Sequence, residues 1–435
     1  MSENKNLSVA ICTLGCRVNQ YESRAISEYL EARGALIRNF SEKCDAYIIN
    51  TCAVTAESER KSRQMARRAF KLNPKAFIVM TGCQAQLHPE TAKSLPGVRY
   101  VCGNGSKLDA ARSVLGEICL EGDNAVCSVG DISPEYENYS VKQPDHTRAY
   151  IKIEDGCENK CAYCVIPRVR GPVRSKPFES VVDEVKAVAA LGYKEIVLTG
   201  IETCSYQYGL TELMRALCDI DGIERIRLSS VNPAFINKKF ADAIKDMPKI
   251  CPHFHLSLQS CCDKTLNDMK RKYNTRMLFK NCDTLKKTVK NLCFTADIIC
   301  GFPGETDEDF EITRANVARL GLLHAHVFPY SKRPGTVAAT MPNQVDDTVK
   351  AKRCEILSSE VSKNKKKIIS DFSANKTEFS VLFETKSNGM YFGHTENFIP
   401  VALEHDADVR EKILKVRLDG ICEINGEFYA KGSVM

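Results

Sequence analysis

Between Ala149 and Tyr330, strand-like apolar runs alternate with amphipathic stretches about six times, and no other feature restricts the fold so strongly. The strand candidates are AYIKI, EIVLTG, RIRLSS, FHLSL, FTADIICG and AHVFPY, and helical periodicity falls near 179–191, 236–247, 275–290 and 307–320. Strands separated by helices run parallel, because each crossover returns the chain to the same end of the sheet. Six units cannot close an eight-stranded barrel. A partial (β/α)6 barrel is therefore expected within 149–370, with its site at the carboxyl ends of the strands.

The flanking segments read differently. Residues 1–120 carry three strand candidates, LSVAICT, AYIIN and AFIVMTG, each followed by a helical pattern beginning near Asn19, Glu57 or Ala85. They predict an open parallel α/β sheet of Rossmann or flavodoxin type. Residues 121–148 are polar with scattered Pro and Gly, and are read as a linker. In the last segment, 371–435, helical periodicity stops. TEFSVLF, MYFGH, NFIPVAL, KILKVRL and CEINGEFYA predict five short strands and a small β-barrel. The expected class is α/β with a β-barrel appended.

The start, MSENKNLSVA, has no basic region followed by an apolar stretch, and no run in the chain is long and apolar enough for a bilayer. A cytoplasmic protein with no membrane partner is expected. Twenty-one cysteines do not suit a disulfide framework in a reducing compartment, so some are read as metal ligands and the rest as small core residues.

The sharpest local signal is Cys157-Glu-Asn-Lys-Cys161-Ala-Tyr-Cys164, directly after AYIKI. Three thiolates on one loop can hold three irons of a cubane and leave the fourth open. That open iron can be chelated by the amino and carboxylate groups of S-adenosylmethionine, whose sulfonium a cluster electron then cleaves to a 5′-deoxyadenosyl radical. A zinc site would usually take a fourth protein ligand. A second, dispersed set is Cys16 in TLGCRVNQYES, Cys52 in NTCAVT and Cys83 in TGCQAQ, each near the end of a predicted strand. Carboxyl ends of neighbouring parallel strands converge, so the three could ligate a second cluster; three buried thiols that merely pack there are the other reading.

The CxxxCxxC loop and its domain resemble the radical S-adenosylmethionine superfamily. Cys16, Cys52 and Cys83 with their flanks, together with the terminal barrel, which is similar to the RNA-binding TRAM domain, resemble its methylthiotransferase family across essentially the whole chain. TLGCRVNQYES, CAVTAESERKSRQMARRA and RIRLSS are similar to the branch acting on N6-threonylcarbamoyladenosine beside the anticodon of tRNA. Arg17-Val18-Asn19-Gln20 separates it from the branches acting on isopentenyladenosine or on a ribosomal protein. The resemblance implies two [4Fe-4S] clusters, one on Cys157, Cys161 and Cys164 for radical generation and one on Cys16, Cys52 and Cys83 as sulfur donor. It also implies two S-adenosylmethionine molecules per turnover. Cofactor contacts carried over with it are Tyr163, Gly200, Glu202, Ser230, Gln259 and Phe302. The implied partners are the anticodon stem-loop of tRNA and a low-potential donor such as flavodoxin or ferredoxin, with a monomer expected. A metal-bound RNA-binding protein without catalysis is the alternative of another class.

This sequence departs from the family at Cys261-Cys262, Asn232 and Cys204. Its terminal barrel, 376–435, has seven Lys or Arg against ten Asp or Glu. Attraction for tRNA is therefore expected from the basic stretches 60–75 and 350–367 and from Arg168, Arg170 and Arg174. A solvated helix face is the plainer reading of either stretch.

Overall fold

The computed structural model describes residues 6–119 and 124–435. The reading of residues 1–5 as free of a leader, and the first linker residues 121–123, lie outside them. Two compact units are present, one comprising 1–191, 198–210 and 331–339, the other 192–197, 211–330 and 340–435.

The first unit begins with β1 (Ser8–Thr13), α1 (Arg17–Glu31), β2 (Leu36–Arg38), β3 (Ala46–Thr51), α2 (Ala56–Leu72), β4 (Phe77–Gly82), α3 (Cys83–Leu87), α4 (Pro89–Lys93), β5 (Val98–Cys102), α5 (Asp109–Val114) and β6 (Val126–Ser128). Its six strands form one parallel sheet in the order β2-β1-β3-β4-β5-β6. This is the flavodoxin-type order, which places a crevice at the carboxyl ends where the order reverses. Runs such as Tyr47-Ile48-Ile49 and Ile78-Val79-Met80 are apolar on both faces and need both faces covered. Ile49, Ile78 and Met80 pack with Ala66 and Ala69 of α2, while Ile48 and Val79 pack with Ile26 and Leu30 of α1. β2, β5 and β6 go beyond the three strands read from sequence; β2 and β6, at three residues each, are too short for a period to register.

The same unit continues with β7 (Ala149–Lys152), β8 (Glu154–Asp155), α6 (Ile166–Arg170), β9 (Arg174–Ser175) and α7 (Phe178–Ala190). β10 (Glu195–Thr199) runs from the second unit into the first, where the Ile153 N–H donates to the Thr199 carbonyl at 2.9 Å.

The second unit contains α8 (Leu210–Cys218), β11 (Arg225–Leu228), β12 (Ser230–Val231), α9 (Lys238–Ile244), β13 (His253–Gln259), α10 (Asp263–Asp268), α11 (Thr275–Thr288), β14 (Cys293–Cys300), α12 (Asp307–Leu320) and β15 (Leu322–Pro329). β12-β13-β14-β15 form a parallel sheet. All six expected strands exist, with one difference: RIRLSS breaks at Ser229, and its last residue begins the separate strand β12. The nine-residue helix α8 is an addition to the sequence reading.

A 28-residue helix, α13 (Asp347–Ala374), leads to β16 (Glu378–Ser387), β17 (Met390–Thr395), β18 (Pro400–Glu404), β19 (Ile413–Ile424) and β20 (Glu427–Val434), which close a barrel in the order β16-β17-β18-β20-β19. Phe379, Val381, Phe383, Tyr391, Val401 and Val416 fill it. Two hairpins turn on Asn388-Gly389 (φ 49° and 81°) and Asn425-Gly426 (φ 52° and 79°). Consecutive positive φ values define the type I′ turn that asparagine followed by glycine favours. KILKVRL and the start of CEINGEFYA therefore belong to one strand, and the chain reverses at Asn425.

The basic stretch 350–367 lies on α13 and is largely neutralised, contrary to expectation. Lys350 and Arg353 are buried, Lys350 against Asp347 at 2.9 Å and Arg353 against Glu305 and Asp307 at 2.8 and 2.7 Å. Lys363, Lys365 and Lys367 pair with Glu360, Glu427 and Asp371. Among the described residues no helix is long and apolar enough to cross a membrane.

Candidate active site

Cys16, Cys52 and Cys83 follow β1, β3 and β4, three adjacent strands of one parallel sheet, at their carboxyl ends. Two glycines let the loops meet. Gly15, at φ +99°, lies so close that an added Cβ would be 2.8 Å from the Cys52 Cβ; at Gly82, φ +96°, it would be 2.5 Å from the Thr51 carbonyl. Asn19 clasps two of the loops, its Nδ2 donating to the carbonyls of Leu14 at 2.7 Å and Thr51 at 3.0 Å. The Thr51 hydroxyl secures the third. It donates to the Thr81 carbonyl and accepts the N–H groups of Gln84 and Ala85, both at 3.1 Å, at the start of the helix that Cys83 opens. Cys52 and Cys83 are buried, while Cys16 is exposed.

The second cysteine set sits in the same unit. Gly156, at φ +86°, has no room for a Cβ, which would meet the Pro172 carbonyl at 1.9 Å. Cys157 follows, with its N–H on the Gly171 carbonyl at 3.1 Å. A shared detail marks three of the six cysteines. The sulfur accepts the N–H two residues on: Cys52 from Val54 at 3.5 Å, Cys157 from Asn159 at 3.4 Å and Cys164 from Ile166 at 3.4 Å. Such N–H···S contacts are how metal-bound thiolates are oriented and stabilised.

Burial, followed by the neighbouring thiols of Cys83 and Cys16, pushes the Cys52 thiol up to about 11. Burial likewise pushes Cys157 up to about 11. Thiolates form in such surroundings only beside positive charge, which a cluster's irons supply. Among the described residues no three His, Cys, Asp or Glu are placed to hold a single ion. The thiolates of a cubane stand farther apart than the ligands of one ion, because each binds a different iron.

Beside the Cys157 loop lie Gly200 and Glu202. The Glu202 N–H donates to Glu154 Oε2 at 2.7 Å and Asn159 Nδ2 donates to Glu202 Oε2 at 3.3 Å. A Cβ at Gly200 would be 2.7 Å from Glu154 Oε2. Tyr163, between Cys161 and Cys164, is half-buried. Glu154 was missed by sequence reasoning. It is fully buried, its Oε1 has no hydrogen-bond partner among the described residues, and burial pushes its carboxyl up to about 8. Its signal was an acid placed at the end of AYIKIE, where a strand hands over to a site. Ser230, Gln259 and Phe302 belong to the second unit. Ser230 lies opposite His255, Gln259 ends β13 at φ +71°, and Phe302 is fully buried with its ring 5.6 Å from Tyr330.

Of the expected basic loop of Arg168, Arg170 and Arg174, only Arg168 is exposed. Arg170 is fully buried, Arg174 nearly so, and Arg168 donates to the Pro334 carbonyl at 3.0 Å. Arg170 Nη1 meets Glu22 Oε1 at 2.5 Å and Asp155 Oδ2 at 3.1 Å, and Arg174 reaches Asp155 at 3.0 Å. Lys107 and Lys152, also buried, pair with Glu22 at 3.1 and 2.8 Å. Burial works against Glu22, yet Arg170, Lys107 and Lys152 together hold it well below the usual carboxylate range. Asp155 is held at about 2 against burial by Lys152, Arg170 and Arg174.

On α2 the basic face survives. Arg60 and Lys61 share Glu57, but Arg63, Arg67, Arg68 and Lys71 have no ion partner among the described residues, and the opposite face packs Ser62, Ala66 and Ala69 inward.

Residues 151–315 match the radical SAM superfamily, and residues 8–103 match a family described as uncharacterized protein family UPF0004. The chain is 37% identical to the threonylcarbamoyladenosine tRNA methylthiotransferase MtaB of Bacillus subtilis, over 94% of this chain and 93% of that protein. It is 39% identical to the protein of the same name from Thermotoga maritima, over 80% and 81%. It is also 36% identical to the tRNA-2-methylthio-N(6)-dimethylallyladenosine synthase of Thermoanaerobacter pseudethanolicus, over 82% and 78%. Among solved structures it is similar in fold to the radical S-adenosylmethionine methyltransferase TsrM of Kitasatospora setae, with a TM-score of 0.59 at 16% identity, covering 78% and 77%.

Proposed function

The chain belongs to the methylthiotransferases of the radical S-adenosylmethionine superfamily, and from that membership we propose that it adds a methylthio group to C2 of N6-threonylcarbamoyladenosine in tRNA. The observation that carries this reading is the meeting of Cys16, Cys52 and Cys83 at three neighbouring strand ends, within the unit that also bears Cys157, Cys161 and Cys164. Each set is assigned one [4Fe-4S] cluster, with Tyr163, Gly200 and Glu202 assigned to S-adenosylmethionine. When bound, these groups supply a deoxyadenosyl radical at one cluster and the sulfur at the other. The protein's part is placement. Asn19, Thr51 and the two glycines fix the loops before any substrate arrives, so the geometry is paid for in folding.

The choice of adenosine rests on two features. Similarity to the threonylcarbamoyladenosine enzyme of Bacillus subtilis spans more of both chains than similarity to the dimethylallyladenosine enzyme, and Arg17-Val18-Asn19-Gln20 follows the first cysteine. An anaerobic assay on hypomodified tRNA, with nucleosides resolved by mass, tests it. A methylthio product on isopentenyladenosine alone would assign the chain to the other branch. An electron from a low-potential flavodoxin or ferredoxin, action as a monomer and a cytoplasmic location complete the proposal.

For tRNA capture the unpaired cations of α2 are the strongest candidate. Reversing Arg63 and Arg67 to Glu is expected to weaken tRNA binding at least tenfold near 0.1 M salt and to flatten the salt dependence of the affinity. Unchanged binding across a salt titration would remove α2 from the interface.

A further inference from the structure

We infer that Arg170 is the positioning residue of the sulfur-donor cluster: it is bonded to one ligand directly and to the loops of the other two through Asn19. The inference rests on reading Cys16, Cys52 and Cys83 as ligands. Arg170 Nε donates to Cys83 Sγ at 3.4 Å, and its Nη2 donates to Asn19 Oδ1 at 2.5 Å. Asn19 in turn holds the carbonyls of Leu14 and Thr51, two residues before Cys16 and one before Cys52. One guanidinium thus reaches all three ligand loops, using the rigid fork that lysine lacks. Asn104 Nδ2 gives Cys83 Sγ a second donor at 3.6 Å and is fixed by the Val169 carbonyl at 2.6 Å, one residue before Arg170.

Charge points the same way. The buried network holds four cations, Arg170, Arg174, Lys107 and Lys152, against Glu22 and Asp155, while Glu154, the buried neighbour of Asp155, is pushed up to about 8 by burial and stays largely protonated at neutral pH. Glu137, at its rim, accepts backbone N–H groups of Lys107 and Leu108. Positive charge is left over, and the side of Arg170 that is free of carboxylates faces Cys83. A set of thiolates there completes the balance. A donor and a positive charge at a cluster sulfur stabilise the reduced state more than the oxidised one, so they raise the reduction potential.

The segment that carries Arg170 also ties this cluster site to the other. α6 starts at Ile166, whose N–H is on Cys164 Sγ, and the residue after Arg170, Gly171, accepts the Cys157 N–H. The five-residue helix therefore spans from the radical-generating loop to the ligand of the second cluster, and side chains of Ala53, Cys83, Val165 and Val169 pack around it.

The test is potentiometric titration followed by EPR on the anaerobically reconstituted full chain. Each cluster is read alone, in C157A/C161A/C164A and C16A/C52A/C83A backgrounds. Arg170→Gln is expected to move the potential of the Cys16-Cys52-Cys83 cluster to more negative values and change its EPR line shape. Arg170→Lys and Asn104→Ala should give smaller shifts in the same direction, and the Cys157-Cys161-Cys164 cluster should titrate as in the parent. If Arg170→Gln does not fold, Arg170→Lys and Asn104→Ala decide. An unmoved potential in both, or an equal shift of both clusters, overturns the inference. A parent protein that binds only four irons, and keeps them in C16A/C52A/C83A, would instead sink the ligand assignment beneath it, and the inference with it.

Discussion

Replacing Cys16, Cys52 and Cys83 together by alanine is expected to abolish the methylthio product while S-adenosylmethionine is still cleaved. Iron bound after anaerobic reconstitution should fall from about eight to about four per chain, as expected for loss of one of two cubanes. The separation follows from where the sulfurs are held. Cys157 and Cys164 take their N–H donors from Asn159 and Ile166 on their own loop, and Glu202, just after β10, and Glu154, in β8, brace that loop. None of these contacts uses Cys16, Cys52 or Cys83. The three alanines remove small side chains and Cys16 is exposed, so the main folding cost falls at Cys83, whose loss leaves the buried Arg170 Nε without its acceptor. Nucleoside mass spectrometry, 5′-deoxyadenosine release and iron content check the three parts. Persistence of the methylthio nucleoside would remove the sulfur-donor role from this set, and loss of deoxyadenosine release would show that the two sites are not separable.

How far such a site can be read before the fold is known differs between its two halves. The CxxxCxxC set is local. Its ligands fall within eight residues, and the spacing alone says that they share a loop. Cys16, Cys52 and Cys83 span 68 positions, and what unites them is that β1, β3 and β4 are neighbours in a parallel sheet. Alternating strands and helices imply such a sheet, but the strand order, and therefore which ends adjoin, comes from packing between distant segments. Arg170 shows the limit. An arginine in PRVRGPVR reads as a surface cation, and the partners that draw it inside, Glu22 and Asp155, sit 148 and 15 residues away. The same applies to Arg353, whose carboxylates, Glu305 and Asp307, stand on α12 and the loop before it. A cation's fate is set by the carboxylates that tertiary structure brings to it, and no periodicity records those. The basic face of α2 was legible because a helix surface is local.

Glu22→Ala should destabilise the apoprotein by about 3–5 kcal/mol at neutral pH, the cost typical of removing one partner from a buried ion pair. Glu22 is wholly buried and faces Arg170, Lys107 and Lys152 at once. Without it three cations remain out of water with only Asp155 to answer them. The stabilisation carries its own pH signature. Glu22 and Asp155 are both held below their ordinary values, so their contribution is complete above about 4, where the unfolded carboxyls have ionised. It is lost as pH falls through the folded values, which for Asp155 is about 2. The gap between parent and variant, followed by denaturant melts under argon without iron, should therefore be flat from pH 7 to about 5 and narrow below 4. Glu22→Gln keeps the shape and one acceptor oxygen but not the charge, and should fall between the two. Equal stability of parent and Glu22→Ala at pH 7 would mean that water reaches these cations. The tight charge balance on which the role of Arg170 is argued would then fail as well.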